Sequence, residues 1–252
     1  MNLNLKNKVA IVTGGSAGLG KAIALSLANE GVHVAISGRN QNALNRTATE
    51  LESITGRKVF VFTGDMSKAD SVKNFVDGVI AKFDTVHLLI NNVGKGFRSL
   101  FTAIEIDKWI SSFEINLMSA IYAANAVLPY MQVQKWGRIV NITALSATEP
   151  NRELAASNVV KSGLLSFSKT LSQELAGDNI LVNCISPGLI ESPQNERYFS
   201  GTERKEAISG IPLGRFGNPE ELADVVTFLC SERASYITGH NLIVDGGMSR
   251  GV

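Results

Sequence analysis

Residues Lys8 to Gly20, KVAIVTGGSAGLG, run an apolar segment straight into a glycine-rich turn. Val9, Ala10, Ile11 and Val12 form the short unbroken apolar run expected of a strand buried on both faces. Gly14, Gly18 and Gly20 follow, and residues this small let a backbone turn tightly and come close to a ligand. A helix starting near Ser16 aims free N–H groups at an anion. The spacing, G-x-x-x-G-x-G, departs from the common G-x-G-x-x-G fingerprint. A plain strand-to-helix turn reads the same residues without a ligand, so the rest of the chain has to decide.

Strand and helix patterns alternate to the end. Strands are predicted at Val32–Ser37, Lys58–Phe62, Leu88–Asn91, Arg138–Ile142, Ile180–Ile185 and Asn241–Val244. Helices are predicted at Asn40–Ile54, Ser67–Phe83, Asp107–Val133, Leu154–Ala176 and Pro219–Cys230, with Ser67 as N-cap and Asp70 completing a capping box. Strands separated by helices need crossover connections, which gives a parallel sheet covered on both faces. The expected fold is α/β, one domain over residues 1–252, with a doubly wound seven-stranded parallel sheet. Gly188–Gly214 is the one long irregular stretch, polar and charged with weak helical character. It is either an ordinary surface excursion or a substrate lid, since a long loop after a strand's C-terminal end is where an open α/β sheet places its ligand.

Composition excludes several classes. A net charge of +1 gives no reason to expect nucleic acid or an anionic membrane as partner. No apolar run is long enough to span a bilayer. The N-terminus, MNLNLKNK, lacks an apolar signal core. Cys184 and Cys230 lie in apolar contexts with no metal-ligand spacing, as reduced thiols of a cytoplasmic protein do. His33, His87 and His240 sit at strand edges and are read as structural, with no metal expected.

Four further segments fit a nucleotide cleft. The second strand ends in Ser37-Gly38-Arg39, where a dinucleotide-binding fold faces the adenosine ribose. A cation there, with no carboxylate, suits a 2′-phosphate and predicts NADP(H) over NAD; a solvated surface arginine is the bland alternative. Asp65, in Gly64-Asp65-Met66-Ser67, either accepts from an adenine amino group or caps a helix. Asn91-Asn92-Val93-Gly94 either ties strands together and lines the cleft or makes a simple turn, and Ser186-Pro187-Gly188 has the same two readings.

Taken in order and spacing, these residues resemble the short-chain dehydrogenase/reductase family over essentially the whole chain. The matching segments are Thr13–Gly20, Asp65, Asn91–Gly94, Asn116, Gly137–Ile142, Lys161, Pro187-Gly188, Tyr236–Gly239 and Val244–Gly247. The overall look is nearest the 3-oxoacyl carrier-protein reductase-like branch. The resemblance implies hydride transfer between a nicotinamide cofactor and a small carbonyl or alcohol. It implies a cofactor site built from Gly14, Ser16, Ala17, Gly18, Leu19, Gly20, Arg39, Asp65, Met66, Asn92, Val93, Gly94, Ile142, Lys161, Pro187, Gly188 and Ile190. It also implies a homotetramer paired through the two long helices, which carry more apolar and small residues than one sheet face needs.

The family's proton handling uses Tyr-x-x-x-Lys on a helix, an upstream serine and an asparagine. A spacing of four puts Tyr and Lys on one helical face. Here Lys161 and Asn116 match, but the tyrosine position holds Ser157 and the serine position holds Ala144. No tyrosine lies between Tyr130 and Tyr198, so no shift of register restores the motif. Three readings follow. The chain is an oxidoreductase with a rearranged proton donor, for which Lys161, Ser146, Thr143, Ser157 and Tyr198 are candidates, with Glu149 and Arg152 as possible holders of a polar substrate and Phe97, Arg98, Tyr198 and Phe199 as pocket walls. Or it is an NADP(H)-binding regulatory or scaffold protein with impaired chemistry. Or the cleft runs an elimination or isomerisation through Lys161.

Overall fold

The computed structural model describes residues 2–251, except the side chains of Gln194 and Arg197. Seven strands form one parallel sheet in the order β3-β2-β1-β4-β5-β6-β7. They are β1 Val9–Thr13, β2 His33–Gly38, β3 Phe60–Thr63, β4 Leu88–Asn91, β5 Gly137–Ile142, β6 Ile180–Pro187 and β7 Asn241–Val244. The order reverses between β1 and β4, so their C-terminal ends open a crevice, the place where such sheets hold ligands.

Side-chain alternation sorts the core into two layers. Ala10, Val12, Val34, Ile36, Leu88, Ile90 and Val140 face one side, with Leu27 of α1 (Gly18–Asn29), Leu44 and Leu51 of α2 (Gln41–Thr55) and Leu222 and Val226 of α9 (Pro219–Leu229). Val9, Ile11, Ala35, Leu89 and Ile139 face the other. There they meet Phe75 and Val79 of α3 (Ala69–Phe83), Ala123 and Val127 of α5 (Ser119–Val133) and Leu175 of α6 (Ala155–Leu175). The expected doubly wound α/β architecture is therefore found.

Several local expectations are corrected. The first helix begins at Gly18, not Ser16. Ser67 does not cap α3: Lys68 holds the cap position, and Ser67 donates its own N–H to Asp65 Oδ1 at 3.0 Å. Asp65 makes this Asx turn because its short acceptor reaches two residues on. Asp107–Val133 is not one uniform helix. α4 (Ile106–Phe113) passes through a π-turn at Glu114–Met118 before α5 begins. In the stretch 188–214 the weak helical character resolves into two short helices, α7 (Pro193–Tyr198) and α8 (Gly201–Ser209). Ser192 caps α7 by accepting from Asn195 N, and Arg204 pairs with Glu191 at the base of the stretch.

Candidate active site

The exits of β1 and β4 are laced together. Thr13 Oγ1 donates to Ile90 O and accepts from Asn92 N (3.0 Å) and Val93 N (3.2 Å). Asn92 Nδ2 donates to Thr13 O (3.0 Å) and Gly14 O (3.2 Å). Asn91 Nδ2 reaches across to Asn141 Oδ1 on β5 at 2.8 Å, so the asparagines tie strands, as one sequence reading held. Gly14 turns with φ +69° and Gly18 with φ +51°, both in the left-handed region. A Cβ on Gly20 would collide with the Gly14 carbonyl oxygen and Asn92 Nδ2, which is why the helix can start this close to the strand end.

Helix α1 opens on Ala17 with no side-chain cap and no acidic residue in its first turn. Its leading N–H groups are left for solvent or a ligand, and the helix dipole favours an anion there. Ser16 is fixed by its carbonyl, which accepts from Thr47 Oγ1 at 3.0 Å. Its hydroxyl faces Gly38, where an added Cβ would stand 3.3 Å from Oγ. Arg39 is exposed just beyond β2. Asp65 is held below the usual carboxylate range by the Ser67 N–H first, with the Arg39 charge contributing, so Arg39 and Asp65 flank one side of the crevice. Met66 is buried beside them.

Lys161 lies at the bottom, 9% exposed, donating from Nζ to Ile142 O at 2.9 Å. Burial pushes its pKa down to about 8, because desolvation disfavours the ammonium. Asn116 sits in the π-turn. Its Nδ2 donates to Lys95 O and Ser112 O (both 3.1 Å), and its Oδ1 accepts from Lys95 N at 3.0 Å. Asn116 therefore clamps the loop after β4. A Cβ on Gly94 would lie 3.0 Å from Asn116 Oδ1 and 3.2 Å from Lys161 Nζ, so these two groups converge on a backbone that only glycine leaves clear.

Ser157 shares the α6 face with Lys161 and is buried. Ala144 starts the turn Leu145–Ala147 after β5. Ser146, in that turn, is buried and its Oγ has no hydrogen-bond partner. Thr143 is already committed: Oγ1 donates to Ile185 O at 2.9 Å and lies 2.7 Å from Ser186 Oγ, which reaches Asn241 Oδ1. Tyr198 donates its hydroxyl to Gly96 O at 3.3 Å, so α7 touches the loop after β4 across the crevice. Arg98 pairs with Glu153 at 2.7 Å, and Ser99 N donates to Glu153 O at 2.7 Å, bolting that loop to the one after β5. Glu149 accepts from Arg250 N and Gly251 N rather than facing open cleft. Sequence reasoning missed this C-terminal contact, and the sequence holds no signal for it. Pro187, Gly188 and Ile190 line the exit of β6, where Ile190 bridges Gly217.

Comparison with known proteins gives the same picture. A family model described as enoyl-(acyl carrier protein) reductase matches residues 14–249. The chain is 39% identical over 249 residues to the 3-oxoacyl-[acyl-carrier-protein] reductase FabG of Chlamydia muridarum, covering 99% of this chain and 100% of that protein. It is 36% identical over 250 residues to dehydrogenase/reductase SDR family member 4 of Sus scrofa, covering 96% and 88%. The solved L-sorbose reductase of Gluconobacter frateurii, complexed with NADPH and L-sorbose, superposes with a TM-score of 0.94 at 34% identity over 100% of both chains. Matched by this family model over residues 14–249 and by these relatives over nearly its whole length, the chain belongs to the short-chain dehydrogenase/reductase family of oxidoreductases.

Proposed function

We propose that the chain is an NADP(H)-dependent oxidoreductase that interconverts a small carbonyl and its alcohol with a rearranged proton donor. The observation that carries this reading is the buried Lys161, whose Nζ, like Asn116 Oδ1, packs against the bare Gly94 backbone just beyond the end of β4. The residues present fit the cofactor. The uncapped N–H groups of α1, with Gly14 to Gly20, suit a pyrophosphate; exposed Arg39 suits a 2′-phosphate; Asp65 and Met66 suit the adenine side; Asn92, Val93, Gly94, Ile142, Lys161, Pro187, Gly188 and Ile190 suit the nicotinamide half. The sorbose reductase neighbour, solved with NADPH, supports the choice. When bound, the nicotinamide gives a hydride to, or takes one from, the substrate carbon.

The oxygen's proton is the chain's own task. In the family pattern a phenol and a serine do this; Ser157 and Ala144 stand at those positions, and neither supplies an acid of suitable strength. Lys161 holds a proton at Nζ that it releases near pH 8, close enough to neutrality for general acid–base work. Ser146, two residues beyond Ala144 in the turn after β5, is the nearby hydroxyl assigned to the substrate oxygen in place of Ala144. Asn116 keeps the loop over Lys161 in place. Residues 188–214, touching Gly96 through Tyr198, act as the lid. The same substitution at 144 and 157 supports a second reading, an NADP(H)-binding regulatory or scaffold protein with little turnover.

An exposed apolar row on α4, Ile106, Ile110 and Phe113, with Phe101 before it and Val159 on α6, supports assembly into a homotetramer through these helices. Calorimetric titration with NADPH tests cofactor binding: no heat of association overturns both readings. NADPH oxidation against aldehydes, ketones, diketones and quinones then separates them, with turnover expected under the first and none under the second.

A further inference from the structure

The segment after β7 runs from the exit of β6 past the end of the 188–214 stretch to the loop after β5. It starts beside β6, where the Gly188 N–H donates to Val244 O at 2.9 Å and a Cβ on Gly188 would stand 2.7 Å from Asp245 Cα. Asp245 then turns the chain, accepting from Gly247 N at 2.9 Å and Ser249 N at 2.6 Å. Midway, Leu213 N donates to Gly246 O at 3.2 Å, which joins the segment to the end of the 188–214 stretch. It finishes at the exit of β5. There a single oxygen, Glu149 Oε1, accepts from Arg250 N at 2.6 Å and Gly251 N at 2.8 Å.

Arg250 and Gly251 are exposed, so burial does not hold them. Two backbone amides on one carboxylate oxygen are charge-assisted hydrogen bonds, the stronger kind. Glu149 lies in the chain between the turn that carries Ser146 and the helix that carries Ser157 and Lys161, and the segment it holds also packs Asp245 against Gly188 at the exit of β6.

We propose that Glu149 is a positioning residue that fixes residues 245–251 as a wall of the substrate cleft, so that the chain's own tail limits access to Lys161. The inference rests on the functional reading given above. It assigns Glu149 to the tail instead of to a polar substrate.

Three variants of the full protein test it: Glu149→Ala, Glu149→Gln, which keeps one acceptor oxygen, and a chain ending at Ser249. Hydrogen–deuterium exchange of the C-terminal peptide reads the hold, and acrylamide quenching of bound NADPH fluorescence reads the wall. In Glu149→Ala the Arg250 and Gly251 amides exchange about tenfold faster or more, while Glu149→Gln keeps part of the protection. Quenching rises to the same level in Glu149→Ala and in the shortened chain, with NADPH affinity unchanged. Unchanged exchange in Glu149→Ala overturns the proposal, and so does a released tail that leaves quenching as in the wild type. If the wild-type chain takes up no NADPH, the functional reading itself falls, an outcome distinct from binding with unaltered quenching.

Discussion

Replacing Lys161 by methionine makes the ligand-free protein more stable at neutral pH, and the gain reverses in alkali. The ammonium is buried with one hydrogen bond, to Ile142 O. Desolvation lowers its pKa from 10.5 to about 8. At about 1.4 kcal/mol per unit, keeping that charge inside costs the native state about 3 kcal/mol below pH 8. Methionine fills similar space without a charge but leaves Ile142 O without its donor, a loss of about 1–2 kcal/mol. The net at pH 7 is a gain of about 1–2 kcal/mol. Above pH 8 the native lysine is neutral while the unfolded one stays protonated up to 10.5. Wild-type stability therefore climbs relative to the variant through that window, by about 1.4 kcal/mol per pH unit. Near pH 10.5 the variant is the less stable of the two, by about 1–2 kcal/mol. Denaturant unfolding of both proteins at pH 7, 8, 9 and 10, at one protein concentration, gives the difference curve directly, since other groups cancel. A flat difference, or a variant less stable at pH 7, refutes the reasoning.

Restoring the family pattern with Ala144→Ser and Ser157→Tyr together raises ketone-dependent NADPH oxidation by about 10²–10⁴-fold, the usual range for a positioned acid–base group; initial rates on purified protein check it. Arg39→Ala weakens NADPH about tenfold or more, the loss of one charge-assisted contact, and leaves NADH unchanged; fluorescence titration with both nucleotides decides. Light scattering is expected to report four copies of the 27.0 kDa chain, and Ile106→Glu with Ile110→Glu to give smaller species, because both side chains are exposed on one α4 face.

The sheet was legible because its strands are buried on both faces, so apolar runs such as Val9–Val12 and Leu88–Ile90 stand out without alternation. The glycine turn was legible for a similar reason, since only glycine tolerates what Gly14, Gly20 and Gly94 are asked to do. Other features left weaker traces. The α3 start was misplaced because a serine followed by an acid mimics a cap, whereas the actual turn is made by Asp65. The helices within 188–214 carry no apolar stripe, so α7 and α8 left only weak helical character in the sequence; Ser192 caps α7, and Arg204 of α8 pairs with Glu191. The committed state of Thr143 and Glu149 depends on partners far along the chain, Ser186 and Arg250, which spacing does not connect.

The π-turn at Glu114–Met118 has a mechanical consequence. Its wider coil spins everything downstream relative to a regular helix, and the Asn116 amide locks that phase to the Lys95 backbone. Beyond it, the 15 residues of α5 form a rod about 22 Å long that ends at the protruding Val133. The loop beside the lysine is thus tied to the start of a helix seated in the core through Ala120, Ala123, Val127 and Met131, so the setting of that loop and the packing of the helix are fixed together.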